Sequence, residues 1–200
     1  MGYHGHLRWY RKGKESCKMK NTLRLLIAGA ILIPAAFSAD SPTITALYDG
    51  QFRMIESELV PLAEAMPADK YNFAPTGGEF KGVRTFGAQA KHIAAVIYIT
   101  AAAAKGEKVP VDTGGESGPE SVKTKAQIIA FLKDSFAYAH AAAATLNNDN
   151  IMDMVKSPFG GPDVARASVA MVPVWHSFDH YGQMVVYARM NGVVPPASKQ

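Results

Sequence analysis

The residues best placed to do chemistry are two histidines one helical turn apart, in the stretch Trp175-His176-Ser177-Phe178-Asp179-His180-Tyr181-Gly182-Gln183. At i and i+4 both imidazoles leave the same helix face and can share one ligand. Continuing that face gives Val169, Val172, Gln183 and Tyr187, a mostly apolar and therefore inward surface. Two neutral imidazoles buried side by side need partners for their ring nitrogens, and a divalent cation satisfies one nitrogen on each. A third inward histidine, His92, lies on the side of an earlier helical segment that carries Phe86, Gln89, Val96 and Ile99.

The pair by itself is a weak signal, because a lone core histidine is more often simply hydrogen-bonded. His92 strengthens it. Ser177 follows His176, so the glutamate of a zincin motif is absent and a metalloprotease is excluded. Asp179 has two readings: an acceptor that orients a ligand from outside it, or a solvated residue, since it points about 100° away from His180 around the helix. Gln183, one turn beyond His180, either lines the pocket or makes an ordinary bond between helices. His140 sits beside the stripe of its own helix and reads as a flanking or surface residue. His4, His6 and Cys17 have a spacing that matches no metal site. Trp175, Tyr181 and Tyr187 read as packing residues.

Four long helices position these residues. Tyr48, Phe52, Ile55, Leu59, Leu62 and Met66 step by three and four after Pro42-Thr43, and Pro61 predicts a kink. The second helix is expected over 85–104, closed by Lys105-Gly106. The third follows Thr124 as N-cap, with Ile128, Leu132, Phe136, Ala139, Ala143 and Leu146 inward. The fourth is expected over 163–190, bent near the histidines by Pro173 and closed by Asn191-Gly192 before Pro195-Pro196. No useful period-two stretch appears, so the fold class is all-α, a four-helix bundle. Its connections, over 67–84, 106–123 and 147–162, are longer than the two to eight residues usual between bundle neighbours. Long links permit helix orders that tight hairpins forbid. They also supply Tyr71, Phe73, Phe80, Phe159, Gly160 and Gly161 as material for a rim at one end, or serve as plain crossovers.

Composition bounds the function class. The 200 residues are 48% hydrophobic, which suits one globular domain with a real core. The net charge of +4 suggests polyanion partners, but residues 1–39 carry seven Lys/Arg against one acid. That leaves 14 basic and 16 acidic side chains in residues 40–200, a net of −2, so nucleic acid is not expected as a partner. The leader has the grammar of a secretory signal: Met19 to Arg24 is a basic n-region, Leu25 to Ile33 an apolar run too short to span, and Ala35 to Ala39 a small-residue exit. A cut after Ser38 is expected, with Met19 a candidate start, residues 1–38 as leader, and 39–200 as a single domain. Cleavage removes Cys17 and leaves a cysteine-free chain, which excludes disulfides and a cysteine nucleophile. The expected location is periplasmic or secreted, without stable membrane insertion after the signal is removed.

Phe86-Gly87-Ala88-Gln89-Ala90-Lys91-His92-Ile93-Ala94, His176 to Gln183, and Tyr187 to Pro196 together resemble the DinB/YfiT-like family of four-helix-bundle proteins, and the likeness runs from about residue 44 to Pro196. The resemblance implies a divalent metal held by three histidines, which match His92, His176 and His180 here. It also implies positions left open to water, the arrangement that catalytic metals keep. Relatives of known activity include thiol-dependent transferases and isomerases. The export signal departs from cytosolic relatives and puts an intracellular thiol cosubstrate in question. Zinc or nickel suits three imidazoles, as copper or iron(II) also would. The reading is therefore an exported, metal-dependent hydrolase or thiol transferase with a small-molecule substrate. The alternative is a non-catalytic binding or stress-related protein with a structural or vestigial metal. A homodimer stays open.

Overall fold

The computed structural model describes residues 41–199. The leader, its cut after Ser38, His4, His6 and Cys17 lie outside them. Among the described residues, four α-helices run as α1 (Ile44–Ala65), α2 (Phe86–Lys105), α3 (Lys125–Ala143) and α4 (Arg166–Met190), all within one unit, Asp40–Gln200. No helix among them is long and apolar enough to cross a membrane.

Caps set the boundaries. The Thr43, Thr85 and Thr124 side chains each accept a first-turn amide, and Thr124 completes a capping box with Gln127. Gly106 ends α2 at φ 74°, a left-handed conformation that side chains resist. Asn191 caps α4, with Gly192 beyond it at φ 73°. Neither Pro61 nor Pro173 ends its helix. The inward stripes predicted for α1 and α3 are buried throughout, including Leu146 just past the end of α3.

α2 packs chiefly on α3 and α4, and α1 packs on the same two from the other side. The order around the bundle is therefore α1, α3, α2, α4, and two of the three connections cross a diagonal. The links over 67–84 and 147–162 make these crossings, whereas 106–123 joins neighbours. As the helix with two close partners, α2 is buried on most of its surface, and its alanines, among them Ala90, Ala94, Ala101 and Ala104, let neighbouring backbones approach.

The first connection is tied down at its start. The Tyr71 hydroxyl donates to the Ala63 carbonyl at 2.6 Å, and the amides of Gly87 and Phe86 donate to the carbonyls of Tyr71 and Phe73 at 2.8 and 2.9 Å. A side chain on Gly87 would start 2.9 Å from the Tyr71 ring, so this closure needs glycine.

Two expectations fail. The fourth helix begins at Arg166 rather than 163, because Met154–Val155 and Val164–Ala165 form a two-residue antiparallel ladder ahead of it. No side chain caps α4. The carbonyls of Asp153 and Ile151 accept its first amides instead, and Arg166 donates to the carbonyls of Asn150 and Ala104. Trp175 is not a packing residue either. It is 57% exposed, since one residue before His176 it points off the inward face.

Candidate metal centre

The three histidines expected to converge do come together. His92 projects from α2 and His176 and His180 from α4, at the contact between those helices. Their rings meet edge to face, with centroids 4.7 to 4.9 Å apart in all three pairs. One ligand atom from each lies within 4.8 Å of the others, a grouping that could hold a metal ion. His92 and His180 are only 4% and 9% exposed, and His176 is half-buried.

The outer nitrogens fix which way the inner ones face. His92 Nδ1 donates to the Glu116 carbonyl at 2.5 Å, and His180 Nδ1 donates to Gln89 Oε1 at 3.0 Å. Each bond places the ring proton on Nδ1 and leaves the Nε2 lone pair free, as ligation requires. His176 Nε2 stands 3.1 Å from His92 Nε2. Two nitrogens bound at 2.0–2.1 Å to one tetrahedral ion would stand about 3.3 Å apart, so the pair is spaced as ligands to a common ion would be. His176 Nδ1 is buried with no partner, the exception to the pattern. The residues present fit a divalent cation: all-imidazole donors, two tautomers set by the protein, and close convergence of the third ring.

Burial holds the three imidazoles neutral. It is the leading cause of a lowered pKa at each, taking His176 to about 3 and His180 to about 4, and lowering His92 although the Glu116 carbonyl opposes it. The positive charge of Arg84 acts in the same direction on all three. The unfolded chain takes up these protons near pH 6.5, while in the folded chain His176 and His180 take theirs up only near pH 3 and 4 and His92 below its ordinary range. The unfolded state therefore binds more protons between about pH 4 and 6.5, so stability falls as pH falls through that window and is complete above it. We expect the melting temperature of metal-free protein to climb from about pH 4.5 to 7 and then level, with a shallower slope in His176→Gln. A melting temperature flat over that interval would contradict the buried, neutral cluster.

The other residues singled out in the sequence divide. His140 stays outside the cluster. It lies between α3 and α1, with Nδ1 2.6 Å from Asp49 Oδ1 and Nε2 3.0 Å from Glu56 Oε2. Asp179 is exposed and touches no histidine nitrogen; it accepts from Gln183 Nε2 at 3.1 Å. Gln183 is exposed rather than inward, and its bond is within α4 rather than between helices. It nevertheless lines a cavity of about 510 Å³ with Gly82, Val83, Arg84, Gln89 and His180. That cavity reaches the cluster at His180. The rim residues named from the sequence lie elsewhere: Tyr71 and Phe73 pack against the core, Phe80 and Phe159 are exposed, and Phe159 lines a separate hollow beside Trp175.

Three contributors escaped the sequence. Gln89 stood on the inward stripe as a polar residue one turn before His92, which is a signal. The Glu116 carbonyl is a backbone atom in a loop and has none. Arg84 was visible only as the residue before a cap.

The family model described as DinB superfamily matches residues 51–184. The chain belongs to the DinB superfamily. Two solved structures share the DinB-superfamily fold seen here. A DinB-like protein from Bacillus cereus ATCC 10987 is 18% identical, with 78% of this chain and 97% of that one covered at a TM-score of 0.62. A DinB-like protein from Bacillus subtilis is 17% identical, with 73% and 92% covered at 0.56. No curated protein matches.

Proposed function

We propose that this DinB-superfamily chain is an exported metalloenzyme, a hydrolase or transferase that binds one divalent ion, zinc or nickel, through Nε2 of His92, His176 and His180. One observation carries the reading: the three imidazoles converge, and one of them, His180, lines an open cavity instead of being sealed in the core. When bound, such an ion would lower the pKa of a coordinated water or thiol toward neutrality and so supply a nucleophile. The chain's own part is orientation and electrostatics. Glu116 and Gln89 hold His92 and His180 in the ligating tautomer, burial keeps the rings unprotonated at neutral pH, and Gln183 offers an amide at the cavity wall. Three neutral ligands leave the ion's full charge available to a substrate.

Protein purified from its native host should have an intact mass that starts near Ala39. After exchange into cobalt(II), its visible spectrum should shift when a small thiol or azide is added, because the ion keeps an open position. A spectrum indifferent to both would mark a closed, structural ion and end the enzyme reading. A mass retaining Cys17 would end export.

A further inference from the structure

The cavity carries a charge arrangement that bears on what enters it. Its lining contains one cation, Arg84, and no acid. The one carboxylate on α4, Asp179, is turned to Gln183 and is not part of the wall, although its charge reaches His180. Arg84 is exposed and makes no ion pair or side-chain hydrogen bond among the described residues, whereas Arg53 and Arg166 are both paired. Its backbone is nonetheless fixed: the next residue, Thr85, caps α2 by accepting the Ala88 amide at 3.2 Å, and Phe86 donates to the Phe73 carbonyl. A guanidinium is thus rooted on a rigid turn beside the histidines, with its five donors unassigned to the protein.

We propose that Arg84 is a specificity residue that holds an anionic group, carboxylate or phosphate, of the substrate brought to the three-histidine centre. The inference rests on the metal-centre reading given above. Three neutral imidazoles do nothing to offset a dication, and Arg84 adds a further positive charge at the same cavity. A neutral molecule gains little from that field, while an anion gains both the field and a forked, charge-assisted pair of hydrogen bonds. A volume of about 510 Å³ suits a small organic acid or a phosphate monoester rather than a polymer. Gln89 and Gln183 supply the neutral polar contacts that orient the remainder.

The test is calorimetric titration of zinc-loaded wild type, Arg84→Gln and Arg84→Lys with acetate, methyl phosphate and neutral acetamide, after zinc content has been measured in each. The proposal expects equal zinc content, preference for an anion over acetamide in wild type, and a loss of about 10- to 100-fold in Arg84→Gln, partly restored in Arg84→Lys. The anion that loses more names the group. Equal anion affinity in wild type and Arg84→Gln would overturn the role of Arg84, because the anion would then sit on zinc alone. So would acetamide binding as well as the anions. A wild type without zinc would fail at the first measurement, overturning the metal reading and this inference with it.

Discussion

Replacing His92 by alanine is expected to abolish stoichiometric metal binding and, with it, the thermal stabilisation that added metal gives. The reason is which helices the ligands come from. His176 and His180 share α4, so the pair left behind can hold an ion only within one helix, while His92 makes it a cross-link from α2 to α4. An ion that binds only the folded state adds its binding free energy to folding, about 3 kcal/mol when free metal stands a hundredfold above Kd. For a chain of this size that amounts to roughly 5–10 °C in melting temperature. Calorimetric melts with metal and with chelator should show such a shift in wild type and none in His92→Ala. His140→Ala, which alters the contact with Asp49 and Glu56 on the far side of α3, should keep the full shift. Equal shifts in wild type and His92→Ala would remove His92 from the site.

Phe86→Ala should have the opposite signature. Phe86 is fully buried as the first residue of α2, and its ring meets Tyr71 edge to face at 5.4 Å. Removing it leaves a cavity beside the segment that closes onto Gly87, at a cost of about 3–5 kcal/mol. The melting temperature should fall by about 10 °C or more whether metal or chelator is present. The difference between the two conditions should survive, because His92 lies more than a turn further along α2 and the other two histidines stand on α4. Loss of the metal-dependent shift in Phe86→Ala would mean that the cluster depends on the bundle's end packing as well as on its ligands.

The contrast between these variants reflects what was legible in the sequence. Helices were, because stripes such as Tyr48, Phe52, Ile55, Leu59 and Leu62 repeat over several turns and the threonine caps and Gly106 punctuate them. The order of the helices around the bundle was not: link length shows that a diagonal crossing is allowed, and only packing shows which helices make it. The ladder of Met154–Val155 with Val164–Ala165 is too short for alternation to register, so the start of α4 was misplaced. Of the site, the convergence of His92, His176 and His180 followed from two inward faces and the family resemblance. The contact that orients His92 did not, since any residue at position 116 presents the same carbonyl. Gln183 was placed on the correct side of α4, yet periodicity could not tell a buried wall from one open to solvent, and the side chain turned to Asp179.

The central claim is that three imidazoles hold one ion, and elemental analysis tests it most directly. Wild-type protein would be purified without an affinity tag, supplied with a slight excess of zinc or nickel, and desalted. The account predicts close to one ion per chain, and none above background in His92→Ala prepared alongside. A wild type that emerges without metal, still folded, would contradict it.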